Sequence, residues 1–114
     1  MEKRADLAIK NGLIVTGSGT AAGDIGIVAG KIAEIGAPGS IEGNETIDAE
    51  GCYVMPGGVD PHTHPVYLDN IEALSKTAAW GGVTTTIHYA YAKPGQSLVT
   101  VLNEYVAEGT ASLH

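Results

Sequence analysis

The chain has 114 residues and a formal net charge of −7 at neutral pH, which argues against nucleic acid or an anionic membrane surface as partners, because both bind through a basic face. Hydrophobic residues make up 44% of the chain, which is typical of a globular protein rather than a disordered one. The single cysteine, Cys52, excludes an intramolecular disulfide and therefore a small secreted domain stabilised by disulfides.

The start of the chain does not resemble a targeting segment. Residues 1–6, Met-Glu-Lys-Arg-Ala-Asp, lack the apolar run of a signal peptide. No stretch approaches the ~20 apolar residues that a membrane-spanning helix needs. We therefore expect a cytoplasmic protein, and we predict that Cys52, which begins the strand-like stretch Cys-Tyr-Val, is a buried structural thiol.

Three hairpins are predicted in the first half of the chain, because alternating apolar residues lie on both sides of short turn-forming segments. The predicted turns are Asn11-Gly12, Ala29-Gly30-Lys31 and Glu50-Gly51. Residues 17–23 are small and predict a loop between the first two hairpins. Three hairpins in about fifty residues favour a β-sandwich-like layer over residues 1–55.

The spacing of apolar residues becomes helical after Pro65. Asp69 or Asn70 can cap a helix that Gly81-Gly82 ends, and the β-branched residues 83–89 predict a buried strand. Ser97 can cap a second helix, for which Gly109 is the predicted C′ residue. Its apolar stripe is Leu98, Val101, Leu102, Tyr105 and Val106. With a strand near Val59, the second part of the chain is a βαβα unit whose strands should be parallel.

Two histidines two residues apart, His62 and His64, are the main candidates for a functional site. In an extended segment, alternate side chains point the same way, so both imidazoles can bind one metal ion while Thr63 points to the other face. Asp60 has the same parity, and its carboxylate could orient one of the imidazoles without binding the metal itself. His88 lies near the end of the next strand and would face the same site only if its register is favourable.

At these residues the chain resembles a known family. Met-Pro-Gly-Gly-Val-Asp-Pro-His-Thr-His at residues 55–64 is similar to the metal-binding signature of the cyclic amidohydrolases, within the urease-related amidohydrolase superfamily. The dihydropyrimidinase and hydantoinase branch is the best match. Gly-Gly-Val-Thr-Thr-Thr at residues 81–86 resembles the sequence that opens the second barrel strand of that family.

The resemblance implies a fold of class α/β plus β. Residues 1–55 would form the β-sandwich-like layer, and residues 56–114 would form the first βαβα of a TIM-like, metal-dependent hydrolase barrel. A complete barrel needs about 250 residues, so this one would be incomplete. The resemblance also implies zinc, as one or two ions in the complete enzyme, with His62 and His64 as ligands of one ion.

The chain departs from the family pattern in three places. Only 16 residues separate His64 from Gly81, and His88 stands where the family often has an acidic residue. The chain ends at His114, before the bridging carboxylated lysine, two further histidines, an aspartate and a substrate-binding tyrosine that the family implies. Lys76 and Lys93 match none of these motifs.

The leading hypothesis is a metal-dependent hydrolase of cyclic amide bonds, of which this chain is an N-terminal part that is inactive alone. Its substrate would be a small cyclic amide. One alternative is a non-catalytic truncated relative, or a dihydropyrimidinase-like scaffold that acts by self-association; another is a free-standing small β/α binding domain. A homo-oligomer is expected because two parallel strands alone leave an open edge and an uncovered apolar face.

Overall fold

The computed structural model describes residues 4–65 and 69–112. The chain divides between Pro56 and Gly57 into two compact units. The first unit contains strands only, and the second contains parallel strands and helices. Of the helices in the described residues, none combines the length and the apolar content that a membrane span requires.

The first unit is built around one long strand at the centre of a five-stranded sheet. Its strands are β1 (Ala5–Thr16), β2 (Gly19–Val28), β3 (Lys31–Gly36), β4 (Gly43–Asp48) and β5 (Tyr53–Val54). β2 pairs antiparallel with β1 on one side, and β3 pairs antiparallel with β2. On the other side of β1, β4 and β5 both run parallel to it. In this unit the described residues form a single sheet, so the sandwich-like stacking expected from the sequence is not seen there.

The predicted hairpin at Asn11-Gly12 is wrong, because β1 passes through this pair as one continuous strand. Asn11 has a φ of 63°, and the register with β2 shifts between Ile9 and Gly12, as in a β-bulge. The main-chain N–H of Asn11 donates to Asp24 Oδ1 at 3.1 Å, and its side-chain amide donates to Asp48 Oδ1 at 2.9 Å. A left-handed asparagine serves a bulge as well as a tight turn, so the pair alone could not distinguish them.

The hairpin predicted around Ala29-Gly30-Lys31 is confirmed, but its turn is Ala29-Gly30, because Lys31 already begins β3 and pairs with Val28. Both turn residues have positive φ, 49° and 72°, as a tight two-residue hairpin turn requires. Asp6 Oδ2 accepts the N–H of Ala29 at 2.7 Å. The loop predicted over residues 17–23 is shorter than expected, because β2 begins at Gly19 and pairs with β1 from there onward.

The predicted hairpin at Glu50-Gly51 is also wrong, since the segments on both sides of it pair with β1. β4 ends opposite Lys10 and β5 begins opposite Leu13. The turn between β4 and β5 therefore lies beside the bulge in β1. Asp48 accepts hydrogen bonds from the side-chain amide of Asn11 and from the N–H of Glu50. These two bonds, the first with the larger effect, hold the pKa of the Asp48 carboxyl below its usual value.

The Cys52 side chain is exposed, so the expected buried thiol is wrong. The residue is fixed through its main chain instead. Its N–H donates to Ala49 O at 2.9 Å and its carbonyl accepts from Leu13 at 3.0 Å. Because the turn residues 49–52 follow the sheet edge, backbone pairing here does not require the side chain to be buried.

The second unit contains β6 (Gly58–Thr63), α1 (Ile71–Trp80), β7 (Val83–His88) and α2 (Leu98–Ala111). β6 and β7 pair in parallel, as predicted. The predicted start of α1 is confirmed with Asn70 as the cap, since Asn70 Oδ1 accepts the N–H of Ala73 at 2.9 Å. Gly81 ends α1 as expected, and its N–H donates to the carbonyls of Thr77 and Ala78.

The end predicted for α2 is wrong. Ser97 occupies the N-cap position without a side-chain cap bond, and Gly109 lies within the helix rather than after it. The helix continues to Ala111, and Ser112 ends it by donating its N–H to Gly109 O and its hydroxyl to Glu108 O. A Cβ added to Gly109 would lie 4.0 Å from Ile71 Cγ2 on α1, which is ordinary van der Waals contact, so packing does not require glycine at this position.

Few of the described residues of the second unit are buried, and most of these lie on or next to the helices. Ile71 and Val101 are buried, and the N–H of Ile71 donates to Glu108 Oε1 at 2.8 Å. The strand over residues 83–89 is not buried as predicted, since Ile87 is 53% exposed. Trp80 at the end of α1 is 93% exposed, so much of the apolar surface of this unit is uncovered.

Asp24 offers a test of how the first unit is held together. Its side chain is fully buried, and its two oxygens accept the N–H groups of Asn11 and Gly39, at 3.1 and 2.8 Å. Asp24→Ala should lower the free energy of unfolding by about 1–3 kcal/mol, because it leaves main-chain donors without acceptors. Urea denaturation followed by circular dichroism measures the change.

The matched control is Asp6→Ala, which also removes a carboxylate that accepts a turn N–H but does so at an exposed position. We expect a loss below about 1 kcal/mol, since water can replace an exposed acceptor. Equal losses for the two variants would contradict the role assigned to Asp24.

Candidate metal centre

The candidate site lies where β6 ends. Pro61 is inside this strand, and the pairing with β7 shifts between Asp60 and Thr63, which are opposite Thr86 and His88. Proline lacks an N–H, so a ladder irregularity at this residue costs no hydrogen bond. The shift leaves His62 at the end of the strand, with His64 directly after it.

His62 and His64, referred to below as the histidine pair, point to the same place, as predicted from strand parity. Their Nε2 atoms are 2.8 Å apart, and their ring centroids are 4.7 Å apart with the rings inclined by 65°. Two imidazole nitrogens at this separation share one proton between donor and acceptor. Neutral histidines bind metal ions through a ring nitrogen, and Nε2 is one of the two nitrogens that can do so.

The geometry of the histidine pair fits two ligands of a single ion. Two nitrogens bound to one tetrahedral zinc, each at about 2.0–2.1 Å, lie about 3.3 Å apart, so the rings need to separate by only ~0.5 Å from their present 2.8 Å. His64 Nδ1 is buried and has no hydrogen-bond partner among the described residues. Among those same residues, no group of three His, Cys, Asp or Glu side chains is placed to hold an ion.

Asp60 contacts the main chain of the histidine pair. Its Oδ1 accepts the N–H of His62 at 3.0 Å, which fixes the backbone around Pro61. This contact supports the position of His62, and the expected orientation of a ring by Asp60 stays a prediction.

Thr63 and His88 lie together on the opposite face of the strand pair. Thr63 Oγ1 donates to Ile87 O at 3.0 Å and is 2.6 Å from His88 Nδ1. His88 Nε2 is 3.2 Å from Thr86 Oγ1. Both nitrogens of His88 therefore contact hydroxyl groups, and its ring lies with Thr63 rather than with the histidine pair.

Two tyrosines that sequence reasoning missed pack against the histidine pair. The Tyr89 ring centroid is 4.5 Å from that of His62 and 5.4 Å from that of His64. The Tyr91 centroid is 5.3 Å from that of His64. The signal was present, since Tyr89 and Tyr91 are two residues apart after β7 and share parity, as the two histidines do after β6.

The remaining candidates do not join this cluster. Lys76 forms an ion pair with Glu72 at 2.6 Å on α1, and the main chain of Lys93 donates to Gln96. Helix capping, one explanation for Asp69, is carried out by Asn70. Tyr67, which follows the histidine motif in the sequence and could line a pocket, and His114 lie outside the described residues.

Comparison with known proteins gives a consistent family. A protein-family model described as "Amidohydrolase family" matches residues 45–107, a range that includes the histidine pair. The D-hydantoinase of Geobacillus stearothermophilus is 41% identical over 109 residues, covering 90% of this chain and 23% of the relative. The L-hydantoinase of Paenarthrobacter aurescens is 42% identical over 89 residues, covering 72% of this chain and 19% of that relative.

Solved structures agree with the sequence comparisons. A D-hydantoinase (dihydropyrimidinase) from Thermus sp. superimposes with a TM-score of 0.79 at 33% identity, covering 90% of this chain and 24% of that one. The chain thus spans about a quarter of the length of the proteins it matches. Since the family match covers more than half of the 114 residues, and the relatives are named hydantoinases and dihydropyrimidinases, the chain belongs to the amidohydrolase family.

Proposed function

We propose that this chain supplies the histidine pair of a metal-dependent hydrolase of cyclic amides, similar to the hydantoinases and dihydropyrimidinases. The observation that carries the proposal is the convergence of His62 Nε2 and His64 Nε2, 2.8 Å apart at the end of a parallel strand. In α/β barrels, catalytic groups lie at the C-terminal ends of strands. The names of the relatives support the class of reaction.

Zinc is the metal we propose. Imidazole nitrogen suits zinc among the divalent ions. A structure of an N-acyl-D-glutamate deacylase from Bordetella bronchiseptica, described as complexed with zinc and a phosphonate inhibitor, matches with a TM-score of 0.63 at 25% identity, covering 87% of this chain and 23% of that one. When bound, the ion would lower the pKa of a coordinated water and polarise the amide carbonyl.

The residues of this chain hold and shield that position. His62 and His64 would bind through Nε2, which requires a proton on each Nδ1. Tyr89 packs against both rings, tilted by 32° and 34° to them, and would shield one side of the pair. In hydrolysis, water adds to the carbonyl carbon, the ring C–N bond breaks and the nitrogen takes up a proton. The proton shuttle for this step, by family resemblance an aspartate, is not assigned to any residue of this chain.

The substrate proposed is a five- or six-membered cyclic amide of the hydantoin or dihydropyrimidine type. Relatives named for both hands of hydantoin match this chain at similar identity, 41% over 109 residues for a D-hydantoinase and 42% over 89 residues for an L-hydantoinase. Identity to these relatives therefore does not distinguish the two stereoisomers.

A second candidate function is self-association without catalysis, as in a scaffold protein. The observation that favours it is the uncovered apolar surface. On α2, three residues of the predicted stripe, Leu98, Leu102 and Val106, are more than half exposed. In the first unit, the edge strand β3 exposes Ile32 and Ile35. Exposed apolar patches and open strand edges favour association between copies.

The metal proposal predicts that both histidines bind the same ion. His62→Ala and His64→Ala should each weaken zinc binding to the 114-residue chain by more than about 100-fold, because losing an outer-shell partner alone costs about 10- to 100-fold. Competition with a chromophoric chelator gives the affinities. His114→Ala is the control, since it removes a histidine outside the motif, and unchanged affinity is expected. Wild-type affinity in His62→Ala would overturn the assignment.

The catalytic proposal predicts that the 114-residue chain, supplied with zinc, shows no measurable hydrolysis of hydantoin or dihydrouracil. Catalytic zinc sites use three protein ligands and a water, and the described residues supply two. Liquid chromatography of the ring-opened product is the assay. Zinc-dependent turnover that disappears in His62→Ala would show that two ligands suffice.

The self-association proposal predicts that the chain sediments as an oligomer at micromolar concentration in spite of its charge of −7. Leu102→Glu combined with Val106→Glu should shift it towards monomer, because both side chains lie exposed on α2 and charge there opposes burial. Analytical ultracentrifugation measures the shift. Thr100→Glu, exposed on the opposite face of the same helix, is the control. A compact wild-type monomer would remove the second candidate function.

A further inference from the structure

Two consecutive residues at the end of β7 contact the histidine motif from opposite faces. Thr63 and His88 are register partners, so their side chains lie on the same face of the strand pair. Tyr89 follows His88, so its side chain points to the other face, where the histidine pair lies. The two residues that carry this contact do not belong to the metal-binding signature at residues 55–64.

The proton on the Thr63 hydroxyl determines how His88 binds. A carbonyl can only accept, so Thr63 Oγ1 uses its single proton on Ile87 O, at 3.0 Å. The hydroxyl must then accept from His88, which places a proton on His88 Nδ1, at 2.6 Å. In the neutral ring, Nε2 accepts from the Thr86 hydroxyl at 3.2 Å. His88 is therefore locked in one tautomer and is not free to bind a metal with the histidine pair.

Tyr89 acts on the same segment from the other side. Its main-chain N–H donates to Thr63 O at 3.0 Å, which continues the β6–β7 pairing one residue past the end of β7. Its ring then packs on His62 and His64, with centroid distances of 4.5 and 5.4 Å. Thr63 is thus held by the hydrogen bonds of its hydroxyl and its carbonyl. The rings of His62 and His64, the residues before and after it, both pack on the ring of Tyr89.

We propose that His88 and Tyr89 are positioning residues that fix the histidine pair before metal arrives. The inference rests on the proposed function for its metal, and it goes beyond it by assigning roles to residues outside the signature. A pair held in place loses less conformational entropy when it binds, so preorganisation raises metal affinity without adding a ligand. The Nδ1–H donor of His88 provides the contact to Thr63.

The experiment compares variants that keep each contact with variants that remove it. His88→Asn keeps an N–H donor near the Nδ1 position, and His88→Ala removes it. Tyr89→Phe keeps the ring, and Tyr89→Ala removes it. Zinc affinity of the 114-residue chain should fall about 10- to 100-fold in the two alanine variants, as for other outer-shell partners. The Asn and Phe variants should stay within about threefold of wild type, and urea denaturation identifies any variant that has lost its fold.

A zinc-free measurement separates this inference from the proposed function. Long-range ¹H–¹⁵N correlation of ¹⁵N-histidine-labelled chain should show the proton of His88 on Nδ1. The ring protons of His62 should carry a ring-current shift that is lost in Tyr89→Ala and kept in Tyr89→Phe. The same shift should decrease in Thr63→Val, which lacks the hydroxyl, and persist in Thr63→Ser.

The outcomes are distinguishable. If wild-type chain binds no zinc but the tautomer and ring-current shifts are as described, the metal proposal fails and the positioning of the histidine pair stands. If zinc binds through His62 and His64 while His88→Ala and Tyr89→Ala match wild type in affinity and shifts, the positioning inference is overturned and the metal proposal stands. A proton on His88 Nε2 alone overturns the role of His88.

Discussion

The parallel pairing of β6 with β7 controls the candidate site. Side chains alternate across both strands, so one pairing decides at the same time which residues face the histidine pair and which face Thr63. The hydrogen bond from Tyr89 to Thr63 O extends the pairing by one step, and the site lies at that step. A register change of one residue in β7 would place His88, instead of Tyr89, on the face of the histidine pair. The chemistry of this region therefore depends on backbone register before it depends on any single side chain.

The sequence predicted the parts of the structure that follow from local periodicity. Strand parity placed His62 and His64 together, and helical spacing with Asn70 and Gly81 gave the limits of α1. The same parity argument would have found Tyr89 and Tyr91, had it been applied beyond β7. Local periodicity could not show which strands pair with each other, because pairing depends on residues far apart in the chain.

The first unit shows why partner choice was missed. Asn11 with positive φ suits both a tight turn and a bulge, and the decision came from Asp24, thirteen residues away, which accepts its N–H. The burial of β7 failed for a related reason, because β-branched composition indicates a strand but not what covers it. Gly109 was misassigned as a helix end, because a single glycine is tolerated inside a helix and α2 continues to Ala111.

The match between the bulge in β1 and the turn at residues 49–52 has a consequence for how chain length can vary. β4 and β5 behave as one edge strand, interrupted where β1 carries its extra residues. Deleting Asn11 alone would shorten β1 against an edge that still contains the turn, so either β5 would lose its partners or its side chains would change face. Length changes in these two segments should therefore occur together. Among homologous proteins, a straight β1 should accompany an uninterrupted edge strand, and alignment gaps at the two places should coincide although they lie about forty residues apart.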